Sequence, residues 1–576
     1  MPASSATPTP LTASIARGAT DVPLIEQTIG ALFDAVTARQ PDHEALVSVH
    51  QRRRYTYREL QTEARRLASA LLGLGLQPGD RVGIWSHNNV EWTLTQLATA
   101  MVGMILVNIN PAYRTAELEY ALNKVGCKAL VTMARFKTSD YLGMLRELAP
   151  EWAHGEPGRL EAQQLPHLHT VVWIDAPHQK AVHEPGMLRF SELLARGDAG
   201  DARVSTIGAQ LRATEPINIQ FTSGTTGFPK GAALTHRNIL NNGFFVGECM
   251  RLTPADRLCV PVPLYHCFGM VMGNLAAFTH GATVVYPNDA FEPLTVLQTV
   301  QDEKCTVLHG VPTMFIAELD HPRFAEFDLS TLRTGIMAGS PCPTAVMQRV
   351  VRDMHMEQVT IAYGMTETSP VSCQSSVDTP LEKRVATVGQ AQPHLEVKII
   401  DPDTGAIVPP GQSGELCTRG YSVMHGYWDD PEKTREAIDA EGWMHTGDLA
   451  TMDAEGYVNI VGRIKDLVIR GGENVYPREI EEFLYRMPQV QDVQVVGVPD
   501  PKYGEELCAW IVLKPGQTLS EDEVRAFCKG QIAHYKIPRY IRFVPEFPMT
   551  VTGKIQKFKI REAMAQQLGL QEARTA

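Results

Sequence analysis

No Cys-x-x-Cys pair occurs in this chain, and none of its ten cysteines stands at zinc-ligand spacing from a histidine. That absence excludes a zinc finger or a paired-thiol redox motif, and it reads the cysteines as small buried hydrophobes in a reducing compartment. Long apolar runs are missing too. The longest, Leu97 to Val107, falls far short of the roughly 20 residues that span a bilayer. Cationic excess is absent: 53 Lys and Arg face 65 Asp and Glu, for a formal charge of −12, which argues against a nucleic-acid backbone as the main partner. No internal repeat, heptad run or secretory pattern is legible. The first 20 residues are rich in Ala, Ser, Thr and Pro, with Arg17 and no acid before Asp21. Residues 1–25 are therefore expected to be a disordered tail, with a cleaved presequence as the rival reading. What remains is the composition of an ordinary soluble protein, 44% apolar and 20% charged, with a mean hydropathy of −0.14. A cytoplasmic location is expected.

At 576 residues the chain exceeds one core, and two to four domains are expected. Thr56-Tyr57-Arg58-Glu59 is a capping box opening a helix with Leu60, Ala64, Leu67, Ala68 and Leu71 on one face. Pro78-Gly79-Asp80 turns into a strand over 81–86, followed by a helix over Val90–Met101 and a strand over Met104–Asn108. This alternation implies mostly parallel sheets covered by helices. Segment 150–190 reads as a surface insertion. After about residue 395 the pattern shortens into β-type segments, and from 465 a small α+β unit is expected. It has a helix near Arg478–Arg486, strands near Val493–Val498 and Leu507–Leu513, and a capped helix opening at Ser520. The expected division is thus a tail to residue 25, a large domain over 26–464 and a small domain over 465–576.

The densest chemistry lies in Phe221-Thr222-Ser223-Gly224-Thr225-Thr226-Gly227-Phe228-Pro229-Lys230-Gly231. Glycines let backbone N–H groups approach an anion, and hydroxyls and an ammonium add donors, so the segment reads as a phosphate cradle at the end of a strand. It is not a Walker A loop, because Gly224 and Gly227 are too close and Gly231 follows the lysine. Four further clusters accompany it. Tyr363-Gly364-Met365-Thr366-Glu367 offers an aromatic face, a hydroxyl and a carboxylate suited to magnesium. Thr446-Gly447-Asp448 ends in an acid able to bond ribose hydroxyls, although such a triplet taken singly is a turn. Gly462-Arg463-Ile464-Lys465-Asp466 and Arg470-Gly471-Gly472-Glu473-Asn474 concentrate charge and glycine at the domain border, and Thr552-Gly553-Lys554 carries a lysine near the end of the small domain.

In this order and spacing the clusters resemble those of the adenylate-forming superfamily, which includes acyl-CoA synthetases, aryl-CoA ligases, adenylation domains and beetle luciferases. The likeness covers about residues 30–560. The segments Gly18-Ala-Thr-Asp-Val-Pro-Leu24 and Arg470-Gly-Gly-Glu-Asn-Val-Tyr-Pro477 resemble the medium-chain fatty acyl-CoA synthetase branch. The resemblance implies an α/β fold with a large N-terminal domain, a β-rich part from about 395, and a small mobile C-terminal domain. It implies an AMP-forming acid–thiol ligase that uses ATP, Mg2+ and coenzyme A through an acyl-adenylate.

By the same resemblance Thr222, Ser223, Gly224, Thr225, Thr226, Gly227 and Lys230 hold the β- and γ-phosphates, and Glu367 with Thr366 holds magnesium. Tyr363 stacks on adenine beside Gly364, Gly339 and Ser340 line the adenine and acyl pocket, and Asp448 and Arg463 hold the ribose. Lys554 bridges the acid's carboxylate and the α-phosphate, and His266 stands beside that carboxylate as a gate. Lys465 is the hinge, and Gly471 and Gly472 face the pantetheine of coenzyme A. No aspartate follows the aromatic of Tyr265-His266-Cys267-Phe268 to pair an amino acid's ammonium, so the acid pocket is expected to be apolar. Phe268, Met270, Val271, Met272 and Val311 are its candidate walls, with Gly269 and Gly273 leaving room and flexible methionines adapting to chain length. An aryl-CoA ligase and an enzyme that loads a separate carrier protein remain alternatives. A luciferase-like oxygenase or a non-catalytic nucleotide binder would fit less of the motif set. The partners expected are small carboxylic acids, ATP, coenzyme A and, as one option, a second copy of the chain.

Overall fold

The computed structural model describes residues 10–136, 138–175, 186–222, 229–340, 342–470, 473–550 and 554–569. Four sheets of four or more strands organise it. Two of them form the core of the large unit. The first has eight strands, and its central members Arg81–Trp85, Ile105–Asn108 and Pro216–Thr222 run parallel. The second has nine, and its middle strands Arg257–Cys259, Val307–Gly310, Thr334–Ala338 and Gln358–Gly364 are also parallel. Runs such as Val82 to Trp85 and Ile105 to Val107 are buried along their whole length, as strands covered on both faces must be. The helix Tyr57–Gly73 begins at the expected box, with Thr56 and Glu59 capping each other. It buries Leu60, Ala64, Leu67, Ala68 and Leu71.

The third sheet has five strands, Ile15–Arg17, Leu395–Ile400, Gly414–Gly420, Met444–Met452 and Val458–Arg463. Its first member corrects the expectation of a disordered tail through residue 25. Ile15 pairs with Lys398 and Arg17 with Glu396, Ser14 is fully buried, and its hydroxyl donates to the Pro409 carbonyl at 3.0 Å. A composition poor in apolar residues hid a strand whose partner lies nearly four hundred positions away. The surface-insertion reading of 150–190 also fails for its described part. Trp152, Leu160, Leu165 and Leu168 are buried, and Thr170–Trp173 is an inner strand of the eight-stranded sheet, parallel to Cys127–Thr132.

The strand Val458–Arg463 is followed by a single 3-10 turn, Ile464–Asp466, and then by Val468–Arg470, which belongs to a different sheet. That last sheet pairs Val490–Asp500 with Gly504–Leu513 and has its own core of Val468, Ile480, Leu484, Val493 and Ile511. The helix Pro477–Leu484 and the helix Glu521–Cys528, capped by Ser520, cover it. Chain direction places the carboxyl ends of the parallel strands, and the loops that follow them, on the edge where ligands bind in open α/β sheets.

Candidate active site

Two neighbouring strands deliver the first groups. Thr334–Ala338 and Gln358–Gly364 are in register with Ala338 opposite Ala362, so Gly339 and Tyr363 emerge side by side. Gly339 has φ +92, a left-handed conformation that costs glycine nothing, with half-buried Ser340 after it. Gly364 is required for a different reason: a Cβ there would lie 1.7 Å from the Pro370 carbonyl oxygen. The Tyr363 hydroxyl donates to Asp448 Oδ2 at 2.6 Å, and Arg463 Nε donates to Asp448 Oδ1 at 3.2 Å. Asp448 and Arg463 face each other across adjacent strands. Burial raises the Asp448 carboxyl above its ordinary value, and the Arg463 guanidinium opposes that shift. Tyr363, Asp448 and Arg463 thus form one hydrogen-bonded cluster.

The turn Thr366–Thr368 presents Glu367, which is 5% exposed. Its Oε1 accepts from the Tyr427 hydroxyl at 2.8 Å. The same hydroxyl accepts from Lys230 Nζ at 3.0 Å. Thr222 Oγ1 donates to the Lys230 carbonyl at 3.4 Å, closing the two strands that flank the phosphate segment. Ser223, Gly224, Thr225, Thr226 and Gly227 lie outside the described residues, as do Gly471 and Gly472. Arg470, just before that pair, is held by Glu506 and lies over the Tyr503 ring at 4.6 Å.

Lys554 reaches this cluster from the C-terminal unit. Its backbone bonds Thr550 in both directions, with Thr550 N–H donating to the Lys554 carbonyl at 2.8 Å and Lys554 N–H to Thr550 Oγ1 at 3.1 Å. Its Cε lies 3.9 Å from the position a Cβ would take on Gly339. Desolvation lowers the Lys554 ammonium from its ordinary value, Arg463 adds to the shift, and Glu367 and Asp448 oppose it. His266 responds to the same charge: burial first and Lys554 second lower it to about 3. Its Nδ1 accepts from the Phe268 N–H at 3.2 Å, which leaves the proton of the neutral ring on Nε2. Cys267 is buried between these groups, with Thr366 Oγ1 4.0 Å from its Sγ.

The expected acyl pocket is only partly assembled as a unit. Phe268, Met270, Val271 and Met272 lie on a wide-turned π-helix, Phe268–Leu275, a geometry that recurs at functional sites. The Phe268 ring meets His309 at 5.6 Å, and Val311, two residues on, lies 3.1 Å from the Cβ position of Gly339. Met270 faces the other large sheet, where its sulfur accepts from Asn108 Nδ2 at 3.4 Å and Gln220 Nε2 at 3.8 Å. It is clamped, not freely adaptable. Gly269 and Gly273 do not leave room for a chain: a Cβ on Gly269 would meet the Pro263 carbonyl oxygen at 2.5 Å, and one on Gly273 would meet Val260 at 3.1 Å. Their space is filled by neighbouring backbone and side chain. Tyr427 escaped the sequence reading, because Gly426-Tyr427-Trp428 has no chemical spacing of its own. Its meaning comes from pairing with the strand that carries Lys230. Glu415, Cys417 and His445 also cluster, but they serve one another: His445 Nδ1 lies 2.9 Å from Glu415 Oε2, and Glu415 Oε1 accepts from Gly447 N–H at 3.1 Å.

The donor set fits a nucleotide with a hard divalent cation. Glu367 and Thr366 supply oxygens, the ligand type magnesium takes, and the hydrogen bond that Glu367 accepts from Tyr427 comes from a neutral phenol. Comparison with known proteins agrees. The AMP-binding enzyme family matches residues 33–428, and the AMP-binding enzyme C-terminal domain matches residues 479–554. The chain is 50% identical over 549 residues to the putative acyl-CoA synthetase YngI of Bacillus subtilis, spanning 95% of this chain and 99% of that one. It is 47% identical over 563 residues to the mitochondrial medium-chain acyl-CoA ligase ACSF2 of Bos taurus, at 97% and 91% coverage. The crystal structure of the anthranilate CoA ligase AuaEII in complex with anthranoyl-AMP superposes with a TM-score of 0.84 at 28% identity, over 96% of this chain and 99% of that one. Matched in both its large and its small unit, the chain belongs to the AMP-binding enzyme family.

Proposed function

We propose that the protein is an ATP-dependent acyl-CoA ligase whose preferred acids are medium-chain fatty acids. One observation carries the reading: Lys554, from the C-terminal unit, stands against Gly339 among Glu367, Asp448 and Arg463. In the first step a carboxylate oxygen attacks the α-phosphorus of ATP, and the bond to the leaving pyrophosphate breaks with its electron pair. Both partners are anions, and the Lys554 ammonium between them offsets their repulsion. Neutral His266 offers its Nε2–H to the incoming carboxylate. Lys230, with the segment from Thr222 to Gly227, holds the β- and γ-phosphates, while Asp448 and Arg463 hold the ribose and Tyr363 lies under the adenine. Glu367 and Thr366 would hold magnesium, which when bound neutralises phosphate charge. In the second step the coenzyme A thiol, losing its proton, attacks the acyl carbon and AMP leaves with the anhydride oxygen.

The units 26–464 and 465–576 turn about Lys465 between the steps, which takes Lys554 out and brings Gly471 and Gly472 towards the pantetheine. Phe268 and Val311 line the start of the acyl channel. The medium-chain preference draws on the names of the relatives and on the lack of any carboxylate in the acid segment. All ten cysteines are free, which supports a reducing compartment such as the cytoplasm. No helix among the described residues is long and apolar enough to cross a membrane.

The test is AMP release with ATP and magnesium across acids from acetate to palmitate plus benzoate, with and without coenzyme A. Turnover that depends on coenzyme A and peaks at mid-length acids is expected. A peak on benzoate alone would reassign the protein to aryl acids, and indifference to coenzyme A would point to a carrier protein as acceptor.

A further inference from the structure

Tyr427 joins the two charged ends of the nucleotide site, and the two-step scheme gives it no part. It lies on the short strand Gly426–Tyr427, which pairs with Lys230–Thr235 so that Tyr427 is opposite Ala232. The backbone around it is tied to both sides of the site. Trp428 N–H donates to the Gly231 carbonyl at 2.7 Å, His425 N–H to Ala233 at 2.9 Å, and Met424 N–H to the Glu367 carbonyl at 2.9 Å. The side chain is 5% exposed. Its hydroxyl gives its one proton to Glu367 Oε1 at 2.8 Å and accepts one from Lys230 Nζ at 3.0 Å. The ammonium also sits 4.2 Å from the ring centroid, a cation–π distance.

The ammonium and the carboxylate share one phenol hydroxyl, at 3.0 and 2.8 Å, and their opposite charges attract across it. If they closed on each other, the lysine would be lost to phosphate and the carboxylate to a cation at once. We propose that Tyr427 is a positioning residue for the nucleotide: its hydroxyl keeps Lys230 and Glu367 apart, so that each stays available to ATP and its divalent cation. The proposal rests on the reading of Lys230 and Glu367 as nucleotide-binding groups.

The test measures ATP binding by calorimetry on the full chain, with and without magnesium, for the wild type, Tyr427→Phe, Glu367→Gln and the Tyr427→Phe/Glu367→Gln pair. Thioester formation from supplied acyl-adenylate and the thermal midpoint are followed in parallel. Tyr427→Phe keeps the ring and is expected to weaken ATP binding about tenfold in both conditions, with thioester formation from the adenylate unchanged. In the double variant the neutral amide that replaces the Glu367 carboxylate cannot capture the ammonium as an ion pair. That variant is expected to regain the metal-free ATP affinity of Glu367→Gln alone. Affinity in Tyr427→Phe within about twofold of wild type, or a loss that the double variant fails to recover, overturns the proposal. So does a parallel fall of midpoint and thioester rate, which would make the residue a packing element. Lys230→Ala separates the two levels. If it leaves ATP affinity intact, the reading of the site itself fails; if it lowers affinity while Tyr427→Phe does not, only the spacing role fails.

Discussion

Two lysines meet the proposed nucleotide site, and they are held in opposite ways. Lys230 opens a strand of the large unit, pairs with Thr222 across the sheet, and rests its ammonium on the Tyr427 hydroxyl. Lys554 comes from the other unit, where its backbone bonds Thr550, and its ammonium is desolvated among groups it does not share a sheet with. The first is part of the scaffold. On the proposed mechanism the second is a visitor: its charge costs free energy to bury, and a carboxylate and an α-phosphate repay that cost only during adenylation. A permanent cation suits phosphates that stay put through adenylation, and a removable one suits a step that ends before the next begins.

Removing the visitor should have the largest effect. Lys554→Ala is expected to cut adenylation by about 10³-fold or more, read as acid-dependent pyrophosphate exchange, while thioester formation from supplied acyl-adenylate largely survives. Equal loss of both half-reactions would erase the distinction between the two lysines. Next comes the means of leaving. Lys465→Pro fixes φ within the turn Ile464–Asp466, and it is expected to spare pyrophosphate exchange yet slow thioester formation about 10²-fold. If both rates survive, the pivot lies elsewhere.

A pH profile sharpens the comparison further. In the proposed mechanism Lys554 acts as an ammonium, and its value is lowered from 10.5, so adenylation should fall as pH rises through that lowered value, before an ordinary lysine titrates. Thioester formation from the adenylate should lack this limb. Because the folded form gives up this proton earlier than the unfolded chain does, the same group makes stability rise with pH between its lowered value and 10.5. Lys554→Met should remove that rise in a denaturation series. The smallest change expected is Met270→Leu. It takes away the sulfur that Asn108 and Gln220 bond and should cost about 1 kcal/mol in chemical denaturation, with the order of preferred acids unchanged.

Much of this was legible in the chain. The capped helix at Thr56, the strand before Thr222 and the paired long strands of the C-terminal unit follow from local patterns that the structure repeats. Other readings failed where the deciding partner was remote. Ile15–Arg17 looks like a tail until Leu395–Ile400 pairs with it. Gly269 looks like free space until the Pro263 carbonyl fills it. Met270 looks adaptable until two amides from the other sheet fix its sulfur. Each error came from treating a residue by its own chemistry without the neighbours that the fold supplies.

The sequence by itself determined the periodicities that make mostly parallel sheets covered by helices and a small α+β unit, the apolar runs buried in them, and the residue types able to handle phosphate, ribose and a carboxylate. These depend on local propensity and on the order of side chains, both written along the chain. Only the tertiary structure decided that Lys554 stands at Gly339, that Asp448 is shared by Tyr363 and Arg463, and that Tyr427 lies between Lys230 and Glu367. Such contacts join positions tens to hundreds of residues apart. Electrostatic and hydrogen-bond energies act over a few ångströms, so their outcome is set only when the sheets have packed and the units have met.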